Sequence, residues 1–375
     1  MNLFKNEKTL PVLVVVASSL LVGVIVLYGY NTGKISWLKN GNNKQVTTQT
    51  EKEKNKQASY IEVARKTLDW IDKQRNKDGW YITERGCELA EKSCNMIFDS
   101  EKGNINGLIA TWARLNFYEQ QKEVKDLEIV KKDIDIFYDK YKDDDLKDSL
   151  WICKITYEMA QSKYIETDQK NKLREICADY NPVNINLINS KIQNQNFLQN
   201  SNNSTQNTLL NIFDSDFGTL SNLVFHYLWL KQNEDIGLVE NYYDSFLKII
   251  NGNYANLKSV DDACLVLFSV FDKYNLNNDK NMLNQIGEWR IKLNDKYRDN
   301  KGSSSLVCGL LDQKLYEVSG NNIFLENLQN TRNTIMDDID TNYGDGFFVF
   351  SQKYQNILIK DVVENSLVVK IMGDS

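Results

Sequence analysis

Residues 148–160 read DSLWICKITYEMA and residues 219–230 read TLSNLVFHYLWL. Each stretch opens on a short polar residue and is then apolar nearly all the way round a helical wheel. Asp, Asn, Ser and Thr in that place accept a hydrogen bond from the free N–H groups of a first helical turn. Apolarity on every side marks a helix that is buried on every side. The pattern recurs at 106–118 (NGLIATWARLNFY), 261–271 (DDACLVLFSVF), 304–316 (SSLVCGLLDQKLY) and 365–372 (NSLVVKIM), which makes six buried helices.

Six charge-rich stretches alternate with them, at 59–75, 122–141, 166–178, 237–251, 278–298 and 321–339. Their apolar residues fall at three- and four-residue spacing, as in SYIEVARKTLDWIDKQ, so each predicts a helix with one buried face. The order is outer, inner, outer, inner, six times over. Such periodic self-similarity is the sequence signature of a repeat architecture. Inner-to-outer connections are short. The long ones, 76–105, 179–218 and 340–361, all run from outer to inner. In an antiparallel ring those loops emerge on a single face, which leaves the other face plain. Loops carried on a rigid scaffold are where function concentrates.

This pattern, spanning roughly 59–372, resembles the six-hairpin glycosidase-like, or (α/α)6 toroid, superfamily. Two loops add to the resemblance: Asp78-Gly79-Trp80-Tyr81 followed by Asn106-Gly107, and Tyr343-Gly344-Asp345-Gly346-Phe347-Phe348 followed by Asp361 and Glu364-Asn365-Ser366-Leu367. The expected fold class is all-α, a toroid of six helical hairpins behind one N-terminal transmembrane helix. The resemblance implies a glycoside-hydrolase-like activity. Gln74 to Trp80 (QRNKDGW) is also similar to a motif of isoprenoid-cyclase-type toroids, a neighbouring reading. A non-catalytic glycan- or protein-binding toroid is the third.

The chemistry open to the chain is narrow. His226 is its one histidine and sits mid-helix, where it reads as a buried, hydrogen-bonded group, so a Ser-His-Asp or Cys-His mechanism has no other base to use. Phosphate-loop and dinucleotide fingerprints are absent, and no cofactor is expected. Zinc-type spacing is missing. Asp99, Glu101, Asp214 and Asp216 could touch a hard cation but lack an EF-hand pattern, so no metal site is assigned.

Carboxylates remain, and glycoside hydrolysis needs only two. The loop-bearing face offers Asp78, Glu84, Asp99, Asp148, Asp214, Asp216, Asp261, Asp262, Asp340 and Asp345. Asp261-Asp262-Ala263 at an inner-helix start resembles the paired Asp of toroidal endo-mannanases. Asp261, Asp262, Asp78, Asp148 and Asp345 are the catalytic candidates, although Asp is also a preferred cap. Trp80, Tyr81, Asn106, Tyr343 and Phe347 are the substrate-binding candidates. Rings such as these either stack on sugar faces or plug the mouth of the toroid.

Leu10 to Tyr28, LPVLVVVASSLLVGVIVLY, is uncharged and long enough to cross a bilayer core of about 30 Å. It exceeds the ~7–15 apolar residues of a cleavable signal and is followed by no small-x-small site. The expected organisation is a short cytoplasmic tail (1–9), a transmembrane anchor (10–30), a flexible polar tether (31–57) and an extracytoplasmic toroid (58–375) at the cell membrane. Lysines flank the run almost evenly, so orientation rests on the cysteines. Cys87 and Cys94 share one loop. Cys153 and Cys177 fall at one level of consecutive helices, and Cys264 and Cys308 at one level of neighbouring inner helices. Three such pairs predict disulfides and an oxidising compartment. The net charge of −6 is dispersed, with no basic stripe, so nucleic acid is not an expected partner. The membrane and a glycan are.

Overall fold

The computed structural model describes residues 56–82, 84–88, 93–98, 106–141, 151–179, 219–231, 236–241, 243, 244, 247, 260–297, 305–339, 349–350 and 357–373. The chain divides into two compact units, Met1–Ser59 and Tyr60–Ser375, and the helical ring is the second. The expected anchor (10–30) and nearly all of the tether lie outside the described residues. No described helix is long and apolar enough to cross a membrane.

Twelve helices occur among the described residues. They are α1 (56–72), α2 (Asn106–Gln121), α3 (Val124–Tyr141), α4 (Ile152–Gln161), α5 (Thr167–Asp179), α6 (Thr219–Leu230), α7 (from 236), α8 (Val260–Asn277), α9 (Lys280–Tyr297), α10 (Leu306–Ser319), α11 (Asn322–Asp338) and α12 (Val362–Gly373). The expected alternation holds. Every residue from Leu306 to Gln313 of α10 is buried, as an inner helix requires. In α3 only Val130, Asp133, Ile134 and Phe137, with Asp126, turn inward. The inner helix expected from Asp148 starts later, at Ile152, with Trp151 in a left-handed conformation (φ 59°) ahead of it and no side-chain cap. The last inner helix starts earlier than expected, at Val362, because Asp361 Oδ1 accepts from the Glu364 N–H at 2.9 Å and caps it.

The inner helices form a closed ring. α2 packs on α4, α4 on α6, α6 on α8, α8 on α10, α10 on α12, and α12 on α2. The α2–α12 seam joins opposite ends of the described chain, and a Cβ built on Gly373 would stand 2.8 Å from the Phe117 ring. Outer helices α3, α5, α9 and α11 each pack on the inner helix that precedes them. The ends of the inner helices α2, α6, α8 and α10 share one device. Lys122, Lys231, Asn278 and Gly320 all have positive φ, and the N–H of each bonds to the carbonyl of a tyrosine four residues back: Tyr118, Tyr227, Tyr274 and Tyr316. A single left-handed residue closed by that bond ends a helix and reverses the chain.

Strands were not expected, yet the first and last long loops pair with each other. β1 (Glu84–Glu88), β2 (Ser93–Phe98), β3 (Val349–Phe350) and β4 (Ile357–Asp361) form an antiparallel sheet in the order β2-β1-β4-β3. Glu84 faces Asp361 and Glu88 faces Ile357 across its centre. The sheet is a second tie across the seam that α2 and α12 close.

Two of the expected disulfides are present. Cys153–Cys177 ties α4 to α5 with a Cα separation of 4.7 Å, and Cys264–Cys308 ties α8 to α10 at 5.1 Å. Cys87 is disulfide-bonded as well. Cys94, its expected partner, lies on the strand paired with it.

Gly107, in the first turn of α2, is where Trp80 and Tyr81 come closest to the helix. An added Cβ would stand 2.4 Å from Trp80 and 2.8 Å from Tyr81. Gly107→Ala is therefore expected to destabilise the toroid by ~1–3 kcal/mol through overpacking. A fall in the chemical-denaturation midpoint checks it, because alanine otherwise favours a helix over glycine.

Candidate functional site

The sequence-derived candidates separate in the structure. Asp261 and Asp262 occupy the first turn of α8, on the face that carries the long loops. Asp261 is half-buried and makes polar contacts; the Asp262 side chain lies outside the described residues. Asn106 opens α2 on the same face. Asp148, Asp345, Tyr343 and Phe347 lie outside the described residues, as do the cation candidates Asp99, Glu101, Asp214 and Asp216. Among the described residues no acidic, Cys and His cluster could hold a metal.

The Asp78-Gly79-Trp80-Tyr81 turn is a scaffold element. Asn76 Oδ1 accepts from the N–H groups of Asp78 (2.9 Å) and Trp80 (3.0 Å), and Gly79 takes the positive φ of 80° that the turn needs. Asp78 itself is exposed and pairs with Lys140 at 3.2 Å. Trp80 is wholly buried against Phe137 and Tyr141. Tyr81 donates its hydroxyl to Asp133 Oδ2 at 2.7 Å, and Asp133 also receives Arg75. Burial first, and then the Asp133 charge, push the Tyr81 hydroxyl well above its ordinary range. These two rings present no face to a sugar; they fix the loop to α3.

A buried polar cluster outside the sequence-derived candidates lies on the inner-helix ring. Lys154 of α4 reaches Asp272 of α8 at 2.5 Å and Glu158, one turn along α4, at 3.2 Å. α4 and α8 are separated by α6 in the ring, so the Lys154–Asp272 pair spans two steps across its interior. Ser221 of α6 donates to Asp272 Oδ2 at 2.6 Å. Trp112 Nε1 of α2 donates to Glu158 at 3.0 Å, while Lys370 of α12 lies 3.7 Å from the Trp112 ring centre. Five inner helices thus contribute directly. Next to the ion pair, Trp151 packs on Phe268 with ring centres 5.3 Å apart, and Lys154 lies 4.6 Å from the Phe268 ring. The Trp151 indole N–H is buried and has no acceptor among the described residues.

The two carboxylates around Lys154 are pushed apart. Asp272 is raised because burial outweighs Lys154 and the Ser221 hydroxyl. Burial opposes ionisation of Glu158 too, but Lys154, Lys370 and Lys314 together outweigh it and hold the carboxylate low. Such splitting of a carboxylate pair is the arrangement from which acid and base roles are built. Asp272 is fully enclosed, however, and its contacts are spent on Lys154 and Ser221. The signal that could have found this cluster is charge inside an otherwise apolar stretch, Lys154 in WICKITY or Asp272 with Lys273 in FSVFDKY. Charged residues are almost never fully buried unless paired.

No family model matches the sequence, and no curated protein matches it significantly. Solved structures do match. Cellobiose 2-epimerase from Bacillus thermoamylovorans B4167 superposes with a TM-score of 0.55 at 11% identity, covering 84% of this chain and 99% of that one. The Lin0763 protein from Listeria innocua gives 0.53, also at 11%, covering 84% and 96%. The fold is an (α/α)6 toroid of six helical hairpins.

Removing one partner of a buried ion pair leaves an uncompensated charge and costs ~3–5 kcal/mol, whereas replacing both by apolar groups is close to neutral. Lys154→Met should therefore be strongly destabilising, and the double variant Lys154→Met/Asp272→Leu should recover most of the loss in urea unfolding. A second buried pair gives a pH test. Asp312 of α10 meets Arg290 of α9 at 2.6 Å, yet burial prevails and pushes its carboxyl up to about 6. Since the folded state then holds its proton more tightly than the unfolded one, this group's stabilising contribution is full below about pH 4 and is lost as pH rises through about 6. The stability advantage of the native protein over Asp312→Asn should shrink between pH 4 and 6.5, by up to ~3 kcal/mol.

Proposed function

We propose that this chain is a membrane-anchored, extracytoplasmic carbohydrate-active protein of glycoside-hydrolase type. It takes a glycan at the loop-bearing face of the toroid, with Asp261 and Asp262 as the carboxylate pair. The observation that carries this reading is the polarity of the ring. The inner helices begin on the face that bears the long loops, and α8 brings Asp261 and Asp262 to that face in its first turn. Deeper in, the ring interior is crossed by Lys154–Asp272 beside Trp151 and Phe268. That layer is enclosed, with Trp151, Phe268 and Asp272 buried, so a glycan at the loop-bearing face would rest above it.

The compartment is supported by the bridged cysteines, since disulfides persist in oxidising surroundings, and the anchor by the uncharged run from Leu10 to Tyr28. The charges crossing the ring count against the cyclase reading, which needs an apolar cavity. A non-catalytic glycan- or protein-binding toroid is the second reading. It is favoured by the commitment of Asp272 and Glu158 to Lys154, which leaves neither free to act.

A glycan array probed with the detergent-solubilised full chain, followed by turnover of whatever glycan it retains, decides between these readings. Asp261→Asn and Asp262→Asn are expected to keep binding and to lose turnover by about 10²-fold or more. Retention of a glycan with no turnover supports the binding reading. Absence of any retained glycan, or turnover unchanged in both variants, overturns the proposal.

A further inference from the structure

We propose that the plain face of the toroid rests on the surface of the bilayer, so that the loop-bearing face points away from the membrane. This rests on the anchor reading given above.

The first observation is where the chain joins the ring. Arg65 of α1 pairs with Glu123, in the turn between α2 and α3, at 2.8 Å, and with Asp126 in the first turn of α3 at 2.7 Å. Seven residues further on, Asp72 meets Arg114 in the middle of α2, and Arg75 then meets Asp133 two turns into α3. α1 therefore runs parallel to α3, from the plain face towards the loops. Tyr60 precedes Arg65 in α1 and lies at the plain-face end. The chain therefore enters α1 at the plain-face end, the end from which the proposed tether would reach the membrane.

The second observation is what that face exposes. Among the described residues the exposed large apolar side chains are Val124, Ile236, Val318, Ile323 and Met336. Val124 begins α3, Ile236 begins α7, and Val318 and Ile323 flank the turn at Gly320. Four of the five thus crown the inner-to-outer turns, and Val124 is 67% exposed. Only Met336 sits at the other end. Singly exposed apolar residues are ordinary, but four gathered at one end of a ring, the end that the tether joins, fit shallow insertion into a lipid interface. The tether raises the effective concentration of this face at the membrane, so weak contacts suffice. Lysines and acids are mixed in these turns, with Lys122 beside Glu123 and Lys163 near Glu166. The contact is therefore apolar in character and needs no anionic lipid.

The test is lysine acylation of the full chain reconstituted in phosphatidylcholine vesicles, read by peptide mass spectrometry and normalised to the same protein in detergent. Lys122, Lys163 and Lys231 report the plain face; Lys73, Lys77 and Lys140 report the other end. All six are exposed. The expected result is at least threefold slower labelling of the plain-face set relative to the other, unchanged by 0.5 M salt and abolished by Val124→Asp/Ile323→Asp. Equal labelling of both sets in protein that floats with the vesicles overturns the orientation while leaving the anchor intact. Persistence of the protection in the double variant overturns the apolar contact. Protein that fails to float removes the anchor and the proposal together.

Discussion

Everything in this toroid depends on the seam at which the last inner helix packs against the first. Even the longest connection between hairpins adjacent along the chain, 179–218, is short beside the span that the seam closes. The α2–α12 contact closes a loop of some 250 residues, and its entropic cost must be recovered locally. The close fit of Gly373 on Phe117 and the β1–β4 ladder supply what recovers it. Without the seam, the apolar flanks of α2 and α12 would face water, and the ring interior would lose the geometry that lets Lys154 meet Asp272.

Charge inside the ring is tolerable only because the ring is closed. Lys154 and Asp272 are withdrawn from water and Glu158 is half-buried beside them, and each is met by an opposite charge or a hydrogen bond. Buried ionic networks are weak evidence for stability and better evidence for a defined arrangement. Here the network sets the register of α4 against α8 across the interior, and it forms the floor under the loop-bearing face. The disulfides tie neighbouring helices, α4 to α5 and α8 to α10, leaving the seam itself to packing and the sheet.

Much of this was legible in the sequence, for identifiable reasons. Inner helices such as TLSNLVFHYLWL are apolar all round because nothing surrounds them but other helices, and outer helices keep one polar face. Equal distances from a turn placed Cys153 level with Cys177. The sheet was hidden because Glu84 and Asp361 pair across nearly the whole chain, and no local pattern encodes a partner so distant. For Trp80 and Tyr81 the sequence leaves two readings open, stacking on a sugar or plugging the mouth of the toroid. What buries them is the missing Cβ of Gly107, a tertiary fact. The ionic cluster went unread because single charges were assigned to solvated faces, although Lys154 and Asp272 sit in helices that have none. The Tyr-x-x-x spacing before each left-handed turn residue was visible but carries no weight until the turns are seen.

Native-state hydrogen exchange of the full chain reads closure of the ring. A helix held by few tertiary contacts ordinarily frays. Closure predicts instead that the amides of Val362–Gly373 and Ile357–Asp361 are protected as strongly as those of Asn106–Gln121 and Glu84–Glu88, and that all four segments open together as denaturant is added. Exchange of the C-terminal segments orders of magnitude faster than that of α2, with no change in α2 as they open, would contradict it.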